Sequence, residues 1–289
     1  MADEATASLD RLRQDIDRID RELHALLRER AAVVKRIGLA KRAAGEGNVA
    51  FVRPGREADV VRAILERHDG ALPRAVVARI WREIISAACQ MQASFRVAMY
   101  DPERALGHWD LVRNHFGSTT PVVVCGSAQR VLQELTHGNT IGVLPYPEFE
   151  EQSPWWPLLA FGDAESARVV GLLPFYESNT GHYESRRMLV VATYPPEPSE
   201  ADRGYIVVSV DPELSRNRLS ALMDQSGMKG SIVASKDAQG DIQQLLEIDG
   251  FVTKADPRLA DLLDRADGMI RRVVVIGAAA RPVGMLDAG

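Results

Sequence analysis

Four polar residues stand where apolar ones belong: Arg30, Lys41, Glu57 and Gln92 each continue a row of apolar residues at helical spacing. Burying an unpaired charge is costly, so such residues are matched by something of opposite sign. Two cations, a carboxylate and an amide on inward rows would suit a small anionic ligand. The competing reading is that long stems lie on the core while their heads reach water. Any one residue fits that reading, whereas four on separate turns favour a polar site inside a helical bundle. Asp17 with Arg21, and Arg18 with Glu22, are spaced for ion pairs on a solvated helix face.

The elements that would position these residues can be traced by periodicity. Leu9, Leu12, Ile16, Ile19, Leu23, Leu26, Val33, Val34 and Ile37 repeat at helical spacing, and Arg30 and Lys41 fall on the same row. This predicts a first helix from Leu9 to about Lys41, ended by Gly45 and Gly47. A second helix starts near Pro54 and stops before Gly70, with Glu57 opening the row of Val61 and Ile64. A third runs from Pro73 to about Phe95, through Trp81, Ile85, Ala88 and Gln92. Arg30 and Lys41 share nearly one face about 16 Å apart, a gap that two long side chains can narrow around one ligand. Arg13 lies about 25 Å from Arg30 and about 100° around the helix, so it could join that ligand only from a second chain. A first helix about 50 Å long cannot bury its stripe on two shorter helices, and a second copy of the chain is the expected cover.

After Arg96 the period changes. RVAMY, PVVVC and TIGVLPY read as buried strands separated by helical patterns at 103–116 and 127–137, a βαβαβ arrangement with a parallel sheet. ARVVGLLPF and RRMLVVATY add two strand-like runs, and PPEPSEAD marks a boundary. Beyond it, GYIVVSVD, a helix over 213–226, MKGSIVASK, DIQQLLEIDG, a helix over 257–267 and MIRRVVVIG give the ferredoxin-like order βαββαβ. The expected fold is therefore multidomain. An all-α three-helix domain that dimerises occupies residues 1–95, a short single-lobe α/β domain 96–198, and a ferredoxin-like domain 199–289.

At 289 residues the chain has room for two or three domains with real cores. Residues 1–95 carry 17 Lys/Arg against 14 Asp/Glu, and the remainder carries 18 against 26. The mild positive lean of the helical part suits a small anion and is too weak for a nucleic-acid surface. The acidic start MADEATASLD does not read as a secretion signal, and no apolar run reaches membrane-span length. Cys89 and Cys125 sit in apolar surroundings with no metal-ligand pattern, which fits a reducing cytoplasm.

The stretches LDRLRQDIDRIDRELHALLRERAAVVKRIGLAK, RPGREADVV and IWREIISAACQMQ resemble the all-helical chorismate mutase family over about residues 8–95. The resemblance implies conversion of chorismate to prephenate, an intramolecular rearrangement that needs no covalent catalyst and no cofactor. Its demands are to hold a flexible dianion in its compact reactive conformer and to stabilise charge on the breaking ether oxygen. It also implies roles. Arg13 of the partner chain and Arg30 would bind the substrate carboxylates, and Lys41 would contact a carboxylate and the ether oxygen. Glu57 would fix the ring hydroxyl, Gln92 would donate to the ether oxygen, and Arg56 would lie beside the site. Arg53 stands where an acidic residue often helps to hold the hydroxyl, and Ala88 replaces a small hydroxyl residue.

The rest resembles an eroded prephenate dehydratase. RVAMYDPERALGHWDLVRNHFG occupies the place of a Gly-Pro-Glu-Gly turn and its helix, without the glycines, and GVLPYPEF that of a Glu-Asn-Ser segment. YESRRMLVVA resembles the family's Thr-Arg-Phe strand, with Ser185, Arg186 and Arg187 standing there. With most of one lobe missing, the resemblance implies a catalytically dead domain in which Ser185 and Arg186 are structural or vestigial. The last segment resembles an ACT domain whose ligand motifs have become Asn217-Arg218-Leu219 and Ala234-Ser235-Lys236-Asp237. That departure favours dimerisation over phenylalanine feedback. The leading reading is a cytoplasmic homodimeric chorismate mutase. The alternatives are a bifunctional mutase and dehydratase, or a non-catalytic partner protein.

Overall fold

The structure is a computed structural model that describes residues 2–43, 52–102, 106–149, 151, 153–162, 167–176, 187–238 and 240–283. Three helices come first: α1 (Ala2–Ala43), α2 (Pro54–Glu66) and α3 (Arg74–Gln92). At 42 residues, α1 is roughly 60 Å long, since each helical residue rises about 1.5 Å. α2 opens on Pro54, with Arg53 as its N-cap. Proline fits there because a first-turn N–H has no helical partner to lose.

β1 (Arg96–Tyr100), α4 (Leu106–Phe116), β2 (Val122–Cys125), α5 (Ala128–Glu134) and β3 (Thr140–Pro145) form the expected βαβαβ unit, with β2 and β3 parallel to β1 on either side. After α6 (Pro157–Phe161) come β4 (Arg168–Leu173) and β5 (Met188–Ala192), and β5 lies antiparallel between β3 and β4. β6 (Asp202–Val210), α7 (Arg216–Gln225), β7 (Gly230–Ala238), β8 (Asp241–Asp249), α8 (Pro257–Arg265) and β9 (Ile270–Ala280) follow in the order βαββαβ. Their spatial order is β9-β6-β8-β7, antiparallel throughout.

The sheet crosses the expected boundary near residue 198 without a break, in the order β2-β1-β3-β5-β4-β9-β6-β8-β7. The junction is the parallel pairing of Val169 in β4 with Gly277 in β9. Gly277 has φ +148°, and a Cβ there would lie 2.1 Å from the Val169 carbonyl oxygen. Only glycine allows that approach. A shared core reinforces the junction. Trp155, Trp156 and Leu159 pack with Leu172 and Leu189 from one side and Tyr205, Leu245 and Ile276 from the other. A second core, with Leu219, Leu222, Leu259 and Leu262, seats α7 and α8 on Ile206, Val208, Leu246 and Ile248.

The chain falls into two compact units, Met1–Phe51 with Ala88–Ser94, and Val52–Ala87 with Phe95–Gly289. The helical region read from the sequence is helical, yet α2 and most of α3 belong to the unit that holds the sheet. α2 packs on β4 and β9 through a buried face that includes Ala58, Val61 and Leu65. Its start is pinned to the linker after β5. A Cβ on Gly55 would lie 2.7 Å from the Glu197 carbonyl oxygen, and Arg53 Nε forks onto the Glu197 carboxylate at 2.8 and 3.0 Å. Arg62 Nη2 donates to the carbonyls of Ala201 and Arg281 at 3.1 and 2.8 Å.

Candidate active site

In the first unit, α1 has two differently covered stretches. From Leu9 to Leu27 its large apolar residues are 45% to 61% exposed. Farther along, Arg30, Ala31 and Lys41 are half-buried while Val34 and Gly38 are buried, which marks the covered face. Gly38 lies under Gln92, whose Cα and Cγ would both be 3.5 Å from a Cβ at position 38. Arg42 Nη1 donates to the Gln92 carbonyl at 2.9 Å, and Gln92 Nε2 donates back along its own helix to the Ala88 carbonyl at 3.4 Å. Arg30, Lys41, Ala88 and Gln92 therefore all belong to one unit, with the two cations on its covered helix face. Arg13 is on the uncovered part of α1, 67% exposed and paired with Asp10 at 3.1 Å.

Arg53, Arg56 and Glu57 belong to the second unit. Arg56 is exposed, and Arg53 is engaged with Glu197. Glu57 is buried, at 7% exposure. Its Oε2 accepts from Arg82 Nη1 at 2.7 Å and its Oε1 from the Arg53 backbone N–H at 2.9 Å. Arg82 is itself 4% exposed. It donates through Nε and Nη2 to the His115 carbonyl at 3.1 and 2.8 Å and lies 5.5 Å from the centroid of the Phe175 ring. Ser86 Oγ donates to the same carbonyl at 3.0 Å. Burial, and after it the charge of Arg82, hold the His115 imidazole well below its ordinary pKa.

The sequence reading did not single out Arg82 or His115. The signal was available for Arg82, because Ile85, Ser86 and Cys89 follow it at helical spacing and all three are buried. A buried arginine asks for a carboxylate, and α2 supplies Glu57. His115 lies in the last turn of α4, where nothing local distinguishes it from a surface histidine.

The strand read from the sequence as dehydratase-like is only partly described, since Ser185 and Arg186 lie outside the described residues. Arg187, just before β5, stands 4.1 Å from the centroid of the Tyr146 ring and 3.5 Å from the Glu247 carboxylate. Glu247 Oε2 also accepts from Tyr146 Oη at 2.6 Å and Tyr205 Oη at 3.2 Å, and its Oε1 lies 3.4 Å from Arg203 Nη1. Burial, then the Glu247 charge, push the Tyr146 phenol above the ordinary tyrosine range. Where the Gly-Pro-Glu-Gly turn would stand, Asp101 pairs with His108 Nδ1 at 3.0 Å. Cys89 and Cys125 are both buried. Among the described residues, no three His, Cys, Asp or Glu side chains gather as metal ligands, and no helix is long and apolar enough to cross a membrane.

Residues 12–93 match the model of the family described as chorismate mutase type II. The match covers the N-terminal helices, which a large mixed sheet follows. The bifunctional chorismate mutase/prephenate dehydratase of Aquifex aeolicus is 34% identical over 142 residues, covering 47% of this chain and 38% of that protein. The enzyme of the same description from Pseudomonas aeruginosa is 32% identical over 148 residues, covering 50% of this chain and 40% of that protein. These matches therefore span about two fifths of the relatives' length. Among solved structures, the prephenate dehydratase of Streptococcus mutans aligns at 11% identity over 64% of this chain and 98% of its own, with a TM-score of 0.43. GqqA, described as a novel type of quorum quenching acylase, aligns at 15% identity over 65% of this chain and 96% of its own, with a TM-score of 0.48.

Proposed function

We propose that this chain is a homodimeric, cytoplasmic chorismate mutase that converts chorismate to prephenate. The observation that carries the reading is the chorismate mutase match over residues 12–93, coupled with two cations on the covered face of α1. Arg30 and Lys41 clamp the substrate dianion, and a guanidinium forks onto a carboxylate. Lys41 and Gln92 donate to the ether oxygen as charge develops there. Glu57 accepts from the ring hydroxyl, with Arg56 at the margin. Ala88 is the small residue that leaves room beside Gln92. Arg53 contributes by capping α2 and through its N–H to Glu57, its guanidinium being engaged with Glu197. No cofactor enters this chemistry. The protein's part is to select the reactive conformer and preorganise the donors.

The dimer is supported by the uncovered stripe from Leu9 to Leu27, a row of large apolar side chains that a second copy of α1 would cover. Arg13 lies in the same stretch of α1, about 100° around the helix from Arg30, and would complete the partner's site. For the later regions, we read 96–198 as dehydratase-like and inactive and 199–289 as ACT-like. The engagement of Arg187 with Tyr146 and Glu247 supports the first part. The relatives' description as bifunctional favours a second reading, in which dehydratase activity persists. Purified protein given chorismate tests both readings. Loss of chorismate with accumulation of prephenate is expected. No consumption would refute the mutase, and phenylpyruvate above the spontaneous background would establish the bifunctional reading.

A further inference from the structure

We propose that Arg82 is the positioning residue for Glu57, fixing the plane and reach of the carboxylate that meets the substrate hydroxyl. The inference rests on the reading of Glu57 given above and adds a residue to it. Arg82 Nη1 holds Oε2 at 2.7 Å while the Arg53 N–H holds Oε1 at 2.9 Å, so each carboxylate oxygen has a fixed donor and the carboxylate plane is set. Arg82 is rigid in turn. Its other two nitrogens, Nε and Nη2, converge on the His115 carbonyl, and the Phe175 ring lies along its face. A planar fork held at three nitrogens has little rotamer freedom left, which suits it to orient a neighbour.

Stability alone is a poor account of this pair. The two side chains are 5% and 8% exposed, and a buried ion pair recovers little more than the desolvation of its charges. Apolar residues of the same volume would hold α2 to α3 at least as well. What they could not do is aim a carboxylate. Misplacing a substrate-contacting group by about 1 Å can cost about a hundredfold in rate.

The test is a kinetic cycle on the full-length protein with chorismate as substrate, using Arg82→Met, Glu57→Gln and the double variant. Arg82→Met is expected to lower kcat/KM by about tenfold to a hundredfold in the wild-type background and by less than about twofold when Glu57 is already glutamine. Arg82→Lys, which keeps the charge and loses the fork, should show a smaller loss with the same dependence on Glu57. It carries the cycle if Arg82→Met does not fold. A purely structural role predicts equal losses in both backgrounds, and that result would overturn the inference while leaving Glu57 in the site. If Glu57→Gln keeps wild-type kcat/KM, the assignment of Glu57 fails, and the role of Arg82 fails with it.

Discussion

At the scale of single residues, the proposed site is defined by polar groups on covered helix rows. Arg30 and Lys41 are half-buried on the stretch of α1 where Val34 and Gly38 are buried. Arg30→Ala and Lys41→Ala should therefore each fold and lose about 3 kcal/mol of transition-state stabilisation, as when one preorganised donor is removed. Steady-state chorismate turnover measures this, and near-normal kcat/KM in both variants would sink the site. His115 offers a second check of a different kind. Its folded-state pKa is depressed by burial first and Arg82 second. As pH falls through the ordinary histidine value of about 6.5, the unfolded chain takes up a proton that the folded chain resists. This group's contribution to stability is thus full above that value and declines below it. The melting temperature should fall from pH 7 to pH 5 in the wild type, and by less in His115→Phe, which keeps an aromatic ring beside Phe116 and Phe175. Parallel slopes in the two proteins would show that His115 does not take part.

At the scale of elements, the informative features are an uncovered helix and a strand junction. Leu12, Ile16, Leu23 and Leu26 on α1 are 53% to 61% exposed. If a second α1 covers them, an Arg13→Ala chain mixed with a Lys41→Ala chain should regain activity, because the heterodimer holds one site with both residues intact. Each homodimer alone should be inactive, and no recovery after confirmed subunit exchange would argue against a shared site. The junction rests on Gly277, where a Cβ would meet the Val169 carbonyl at 2.1 Å. Gly277→Ala should cost about 2 kcal/mol or more, read as a drop of roughly 4–8 °C in thermal unfolding. These elements show what was legible. The helices, the βαβαβ unit and the βαββαβ order follow from periodicity, because each strand run is apolar and each helix row is regular. The joining of the two sheets was not legible, since it depends on one close backbone approach between residues more than a hundred positions apart. Nor was the docking of α2 on β4 and β9, because a helix row shows that a face is buried without showing against what.

At the scale of the whole molecule, the question is whether the sheet unit catalyses or supports. A dehydratase cleft needs two lobes to exclude water, and in the region read as one lobe, residues 96–198, the β-sheet continues directly into β9. Arg187, the last of the three residues read at the Thr-Arg-Phe position, stacks on Tyr146 and reaches Glu247 of β8. Its guanidinium thus ties β5 to the βαββαβ half. In that half, Asn217 and Arg218 are exposed on α7, and Ala234 is buried in the shared core. The first of these segments lacks the small residues that would let backbone close on an amino acid. We therefore expect no phenylpyruvate from prephenate, and no shift in melting temperature with millimolar phenylalanine, because a ligand that does not bind the folded state cannot stabilise it. Arg187→Ala should leave mutase turnover unchanged while lowering thermal stability, since it removes a tie between strands and no contact with chorismate. A stabilisation of several degrees by phenylalanine would make the last region a working effector domain. The linker contacts of Arg53 and Gly55 with Glu197 would then be a direct mechanical path from that region to α2 and Glu57.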